Sequence, residues 1–229
     1  MARIYEYQGK EILRKVGISV PEGREVSSAS EARGVAAGIG KPVAIKAQVW
    51  ATGRFKAGGI KFAVTSDEAE KAARELIGSR VKGLPVGKVL VEELLEIDRE
   101  FYVGIIVNNS HKVKGPVLIF SSMGGIGIEE VAAAHPEKVA TFNVDYLQGV
   151  GPSEAGQLIS RLFDGPFPPD LSAELANVIS RLYEAFTESD ARAAEINPLV
   201  LTKSKQLYAA DCRFTIDDNS VFRHPEFNI

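Results

Sequence analysis

An α+β chain folded as two mixed lobes is the architecture this sequence predicts, and three observations predict it. Capped helices alternate with short strands between residues 20 and 96. A second mixed segment runs from residue 97 and ends in two apolar strands. The composition is that of an ordinary globular domain, with 45% of 229 residues hydrophobic and 25% charged. That excludes a disordered chain, a collagen and a disulfide scaffold, and the length allows one large domain or two small lobes.

Residues 7–16 read as a short helix, with Ile12, Leu13 and Val16 on one face and Gly17 in the place of a C-terminal cap. Ser28 and Glu31 form a capping box that opens a second helix, whose apolar face is Ala32, Val35, Ala36 and Ile39 and whose end is Gly40. A strand over 42–49, a glycine-rich stretch and a strand over 60–65 follow. Thr65 and Glu68 make another capping box, and Ala69, Ala72, Ala73, Leu76 and Ile77 continue at helical spacing. A strand over 89–93 completes a β-α-β-loop-β-α-β lobe.

In the second segment, strands are expected over 101–108 and 116–121, joined by a polar turn carrying Asn108, Asn109 and Ser110. A short helix starts near Glu129 and stops before Pro136. Leu171, Leu175, Val178, Ile179, Leu182 and Phe186 form the clearest amphipathic stripe of the chain, and the proline-rich patch 165–169 before it reads as a loop. Strands over 193–202 and 206–212 close the fold.

The net charge of −3, from 27 basic and 30 acidic residues, carries no footprint for nucleic acid or an anionic membrane. One cysteine, Cys212, leaves no internal disulfide and no multi-cysteine zinc site. No apolar run approaches the roughly 20 residues of a membrane span, and the first residues lack a signal-peptide core. A cytoplasmic protein is expected.

Three segments could carry chemistry. In the loop 46–59, Gly53, Gly58 and Gly59 interleave with Arg54 and Lys56. Glycine lets backbone N–H groups approach an anion closely, and the basic side chains supply charge. The same pattern also describes a hairpin with solvated basic residues, and it matches neither the P-loop nor the dinucleotide fingerprint. Lys46 alternates with Ile45 in its strand. Facing inward it requires an anionic partner, and facing outward it requires none.

In the closing strands, Glu195 and Asn197 share a face. A hairpin about Ser204 sets Asn197 opposite Asp211, placing a carboxylate beside an amide oxygen. Hard oxygens of this kind suit Mg²⁺, which takes one or two protein oxygens plus nucleotide phosphates. A solvated polar face on an edge hairpin is the alternative, although Ile196, Leu199 and Ala209 make these strands half buried, and Pro198 marks an irregularity. The third segment, Ser122-Met-Gly-Gly-Ile-Gly, could offer an anion site at a helix start or simply turn the chain. His111, His135 and His224 sit in polar or proline-flanked turns, and no HExxH, GxSxG or Cys–His arrangement occurs. A covalent phosphoryl or acyl intermediate would need a nucleophile from another chain.

Together these pieces resemble the ATP-grasp half of the succinyl-CoA synthetase β subunit family and its acid–CoA ligase relatives. The resemblance runs through Tyr5-Glu-Tyr-Gln-Gly-Lys, Lys46-Ala-Gln-Val, Gly53-Arg54, Lys56-Ala-Gly-Gly, Val89-Leu-Val-Glu92, Gly124-Gly125, Ile128-Glu129, Glu195-Ile-Asn-Pro-Leu-Val, Asp211, Asp217, Asn219 and Phe222-Arg223. It implies an ATP-grasp fold of two α/β lobes with the nucleotide between them: a small lobe over 20–96, and a large lobe over 1–19 and 97–229 with the metal and phosphate site. By the same resemblance, Lys46, Gly53 and Arg54 hold the nucleotide phosphates, Arg54 taking a catalytic part. Glu92 takes the adenine and ribose edge, and Glu100 lies near the triphosphate. Asn197 and Asp211 ligate Mg²⁺, and Glu195 orients a phosphohistidine from a partner. The cofactors implied are ATP or GTP and Mg²⁺, with CoA bound mainly by partner domains. The partners implied are a histidine-bearing, CoA-binding α-type subunit and a separate CoA-ligase domain, acting on a small carboxylic acid in the manner of the tricarboxylic acid cycle enzyme.

Departures from the pattern are Trp50, Thr52 and Phe55 for His, Gly and Gly in the loop, Met123 and Gly127 for acidic residues, and Cys212, Phe214 and Thr215 in the run after the metal aspartate. Relatives continue roughly one domain further, so either this chain is cut short or the gene is split. A non-catalytic regulatory or scaffold subunit, and an unrelated ATP-grasp ligase making peptide-like bonds, are the alternatives; the Glu195–Pro198 block argues against the latter.

Overall fold

The computed structural model describes residues 2–110, 114–163 and 167–229, so His111 lies outside the described residues. The strands in chain order are β1 (Ala2–Arg3), β2 (Gly23–Val26), β3 (Val43–Ala47), β4 (Ile60–Ala63), β5 (Arg80–Val81), β6 (Leu84–Pro85), β7 (Val89–Glu93), β8 (Ile97–Asn109), β9 (Lys114–Ser121), β10 (Val139–Asn143), β11 (Ala191–Thr202), β12 (Leu207–Ala209) and β13 (Cys212–Ile216). The helices are α1 (Glu6–Lys15), α2 (Ala29–Ile39), α3 (Ser66–Leu76), α4 (Ile128–Ala134), α5 (Pro152–Ser160) and α6 (Pro169–Glu188). They divide into two compact units, residues 21–96 and residues 1–20 with 97–229.

In the smaller unit, β2, β7, β3 and β4 pair in that order, all antiparallel, and β5 pairs with β6 in a separate hairpin. The two capping boxes form as the sequence predicts. Ser28 accepts from the Glu31 N–H while Glu31 accepts from the Ser28 N–H, and Thr65 and Glu68 repeat the exchange. These bonds satisfy donors that a helix start leaves orphaned. Gly40 closes α2 at φ +66°, where a side chain would be strained. Ala32, Val35, Ala69, Ala73 and Leu76 bury against Val43, Ile45 and Val91 in a core of its own.

The larger unit holds a sheet ordered β1-β13-β11-β8-β9-β10, with β12 also on β11. α6 realises the predicted stripe. Leu175, Ile179 and Leu182 are fully buried beside Phe186, each side chain contributing about 1.5–3 kcal/mol of burial. Helices α1, α5 and α6 share this core with Phe101, Phe120, Ile196 and Phe214.

The structure corrects several boundaries. Pro169, expected in a loop, is the first residue of α6, where its missing N–H costs nothing; residues 164–166 lie outside the described residues. The expected strand over 206–212 is two strands, interrupted at Ala210 and Asp211, and β13 runs on to Ile216. β5, β6, β10 and α5 were not predicted, being short or weakly patterned. Among the described residues no helix is long and apolar enough to cross a membrane.

Candidate functional site

In the smaller unit, the candidates gather at the ends of β3 and β7. Lys46 pairs with Leu90 across the two strands, so its side chain reaches diagonally to Glu92, which lies opposite Ala44. The Lys46 ammonium stands 2.5 Å from Glu92 Oε1, and both side chains are less than a tenth exposed. The structure thus decides the question the pattern left open: Lys46 faces inward with an anionic partner. Glu92, expected at a nucleobase edge, is the counter-ion of this lysine. A charge pair this deep holds only because each ion compensates the other. Gln48 is buried beside it, its carboxamide donating to the Lys46 carbonyl at 3.1 Å.

The glycine-rich loop after β3 closes on itself. The N–H groups of Ala57, Gly58 and Gly59 donate to carbonyls of Gly53, Arg54 and Phe55. Gly53 adopts φ +65°. Arg54 is only 7% exposed, and its guanidinium donates to the Ala47 carbonyl at 3.0 Å, tying the loop to the end of β3. Lys82, which the sequence did not single out, has its ammonium 3.4 Å from where a Cβ on Gly53 would stand. Trp50 and Phe55 are exposed, and Phe55 leans on Phe62 with ring centroids 6.2 Å apart.

In the larger unit, the expected register holds. Leu199 pairs with Ala209 and Ile196 with Cys212, and between them the Asn197 N–H donates to the Asp211 carbonyl at 3.0 Å. Pro198 falls in the register shift of β11 against β8, between Ile196 and Leu199. Glu195 pairs with Arg213 on one side and Gly104 on the other. Because Gly104 has no Cβ, the Tyr102 hydroxyl lies over it, 2.3 Å from where that atom would be, and donates to Glu195 Oε2 at 3.2 Å. Arg213 Nε holds Oε1 at 3.1 Å. Burial pushes the Glu195 carboxyl above its ordinary value; Arg213 and the Tyr102 hydrogen bond oppose that shift, while the charges of Asp211 and Glu129 add to it. The Tyr102 hydroxyl is pushed up by burial and by Glu195. Tyr102 and Arg213 went unnoticed in the sequence, although the register that pairs Asn197 with Asp211 also pairs Glu195 with Arg213.

Asn197 serves a second purpose. Its Oδ1 accepts from the Gly125 N–H at 2.8 Å and its Nδ2 donates to the Ile126 carbonyl at 2.9 Å. The Gly124 N–H donates to the Glu100 carbonyl at 3.1 Å. Both glycines are required: a Cβ on Gly124 would meet the Phe101 carbonyl at 2.3 Å, and Gly125 holds φ +77° over the Glu100 carboxylate. Of the two readings open for this segment, the structure shows the turn, with the Gly124 and Gly125 N–H groups bound to protein oxygens. Burial raises the Glu100 carboxyl above its ordinary value. His135 and His224 do not join either group; His224 lies against Asp190 and Glu226 at 2.9 and 3.3 Å.

The donor set of the hairpin suits magnesium. Asp211 offers a carboxylate, and Asn197 Oδ1 keeps a lone pair beyond the one facing Gly125. Among the described residues no group of three or more His, Cys, Asp or Glu converges as a metal cage.

Comparison with known proteins shows the family and the fold. The ATP-grasp domain matches residues 3–201. The chain is 44% identical over 223 residues to the succinate–CoA ligase [GDP-forming] subunit beta of Thermus thermophilus, covering 97% of this chain and 57% of that one. It is 42% identical over 222 residues to the succinate–CoA ligase [ADP-forming] subunit beta of Methanocaldococcus jannaschii, covering 97% and 59%. It thus spans under two thirds of the length of these curated relatives. Among solved structures, the dinucleotide-forming acetyl-coenzyme A synthetase 1 of Ca. Korarchaeum cryptofilum superposes with TM-score 0.73 at 20% identity, over 94% of this chain and 93% of that one. The ATP citrate lyase of Methanothrix soehngenii does so with TM-score 0.71 at 20% identity, over 99% and 54%. A domain match over most of the length, on a fold these structures share, makes the chain a member of the ATP-grasp domain family.

Proposed function

We propose that this chain is the ATP-grasp part of an NDP-forming carboxylate–CoA ligase, using Mg²⁺ and a purine nucleoside triphosphate to phosphorylate a histidine of a partner subunit. The single observation that carries the reading is the hairpin pairing of Asn197 with Asp211, two residues from a Glu195 whose carboxylate is held at both oxygens. Relatives named as ADP-forming and GDP-forming ligase subunits support the reaction class and leave the base open.

In this reading Lys46, Gly53 and Arg54 take the nucleotide phosphates, and Glu92, paired with Lys46, takes the adenine and ribose edge. Asn197 and Asp211 hold magnesium, which would neutralise phosphate charge, and Glu100 lies near the triphosphate. Glu195 accepts a hydrogen bond from one imidazole nitrogen of the incoming histidine and so orients the other as nucleophile. The bond from the terminal phosphorus to the leaving diphosphate breaks as the bond to that nitrogen forms, and catalysis is positioning plus electrostatic neutralisation. The phosphoryl group then passes to a small carboxylic acid, and the acyl phosphate reacts with CoA. The acid and CoA are assigned to an α-type subunit and a CoA-ligase domain, in a cytoplasmic heteromer. The boundaries proposed for the two lobes are those expected from the sequence, 20–96 and 1–19 with 97–229.

Calorimetric titration of the 229-residue chain with ATP, with and without magnesium, tests this. Magnesium-dependent binding that Asp211→Asn weakens roughly 100-fold, with unchanged circular dichroism, is expected. A folded chain that binds neither ATP nor GTP returns the scaffold reading, which the exposed Trp50 and Phe55 of the loop favour.

A further inference from the structure

The most deeply buried charges of the larger unit lie outside the residues assigned so far. Glu6 and Lys10 stand one turn apart on α1, their side chains 2% and 1% exposed, with the ammonium 3.0 Å from Glu6 Oε1. A buried ion pair contributes little net stability, and well-packed apolar residues of similar volume replace such pairs without loss. The stabilising role alone therefore leaves the pair unexplained. One further contact is specific: Lys10 Nζ donates to the Ala210 carbonyl at 2.8 Å.

Ala210 and Asp211 form the gap between β12 and β13. There the backbone leaves the regular ladder: the Ala210 N–H donates to the Pro198 carbonyl at 3.1 Å, and the Asp211 carbonyl accepts from the Asn197 N–H at 3.0 Å. On the far side of the gap the Cys212 thiol donates to the Glu6 carbonyl at 3.6 Å. Gly9 makes room for that contact, since a Cβ there would stand 2.8 Å from the Cys212 sulfur. One turn of α1 thus grips the residues on both sides of Asp211, by an ammonium before it and a carbonyl after it.

We infer that Lys10 is a positioning residue for Asp211: its ammonium, neutralised by Glu6, holds the Ala210 carbonyl and so fixes the backbone that presents the Asp211 carboxylate beside Asn197. The inference rests on the reading that Asn197 and Asp211 hold magnesium.

The test is the ratio of ATP affinity with and without magnesium, measured by calorimetry on the full chain. Lys10→Met alone would strand the Glu6 carboxylate, so the variant used is Glu6→Gln with Lys10→Met, which removes both charges at similar volume. Leu13→Ala, a cavity in the same helix, is the control for lost stability. The double variant is expected to lose the magnesium enhancement about 10–100-fold, as loss of a group orienting a ligand does, with magnesium-free binding unchanged. Leu13→Ala is expected to keep the enhancement. A folded double variant with wild-type magnesium dependence overturns the inference, as does an equal loss in Leu13→Ala. If the wild-type chain itself binds ATP without regard to magnesium, the metal assignment falls first and this inference with it.

Discussion

The two units treat charge in opposite ways. At the end of β3 and β7, one cation meets one anion, Lys46 against Glu92, and the pair is neutral and nearly dry. At the β11–β13 hairpin, burial first and the Asp211 charge after it raise the cost of ionising Glu195, with Arg213 and the Tyr102 hydroxyl opposing only part of it. A neutral pair is a finished structure. The hairpin sets a carboxylate residue and an amide oxygen opposite one another, donor types that a hard cation takes. The contrast is the reason magnesium is proposed for the larger unit, and phosphate binding by the loop cations and Lys46 for the smaller one.

The comparison can be broken most severely at Lys46. Replacing it with Met leaves the Glu92 carboxylate buried without its cation and is expected to cost about 3–5 kcal/mol of stability in denaturant unfolding. A negligible loss would show that the pair is hydrated and that the smaller unit is not closed in this sense. Gly125→Ala comes next: a Cβ at φ +77° stands 2.6 Å from Glu100 Oε2, and the left-handed backbone alone costs about 1–2 kcal/mol. The displaced turn is expected to loosen the Asn197 amide as well, visible as weaker magnesium-dependent ATP binding.

The smallest effect is a pH dependence at Glu195. Burial holds its folded carboxyl above the ordinary carboxylate value, so the native state binds this proton more tightly than the unfolded chain. Stability from the group is full below the unfolded value and is lost as pH rises through the folded one. Glu195→Gln removes the titration, so its melting temperature is expected to gain on the wild type between pH 4 and pH 8. A difference that stays constant over that range would mean that Glu195 is not desolvated in the folded protein.

Some of this was legible from residue order. The capping boxes at Ser28 and Thr65, the stripe of α6 and the hairpin register are local, each fixed by residues within about twenty positions of one another, so periodicity and turn placement suffice to find them. Local pattern left the Gly124–Gly125 segment open between an anion site and a turn because the partner that takes the Gly125 N–H, Asn197, is 72 residues away. The Lys46–Glu92 pair was not legible because the diagonal between them depends on which strands lie beside β3, and these are β7 as well as the sequentially adjacent β4.

By itself the sequence determined the mixed fold, the capped helices, the pairing of Asn197 with Asp211 and, by motif, the ATP-grasp family. Only the tertiary structure decided which charges are compensated: Lys46 by Glu92 across two strands, Glu195 by Tyr102 and Arg213, and the Ala210 carbonyl by a lysine 200 residues earlier in the chain. The physical reason is that backbone propensities and periodicities act over a few residues, whereas the energy of a buried charge is set by whatever the completed fold brings within a hydrogen bond of it.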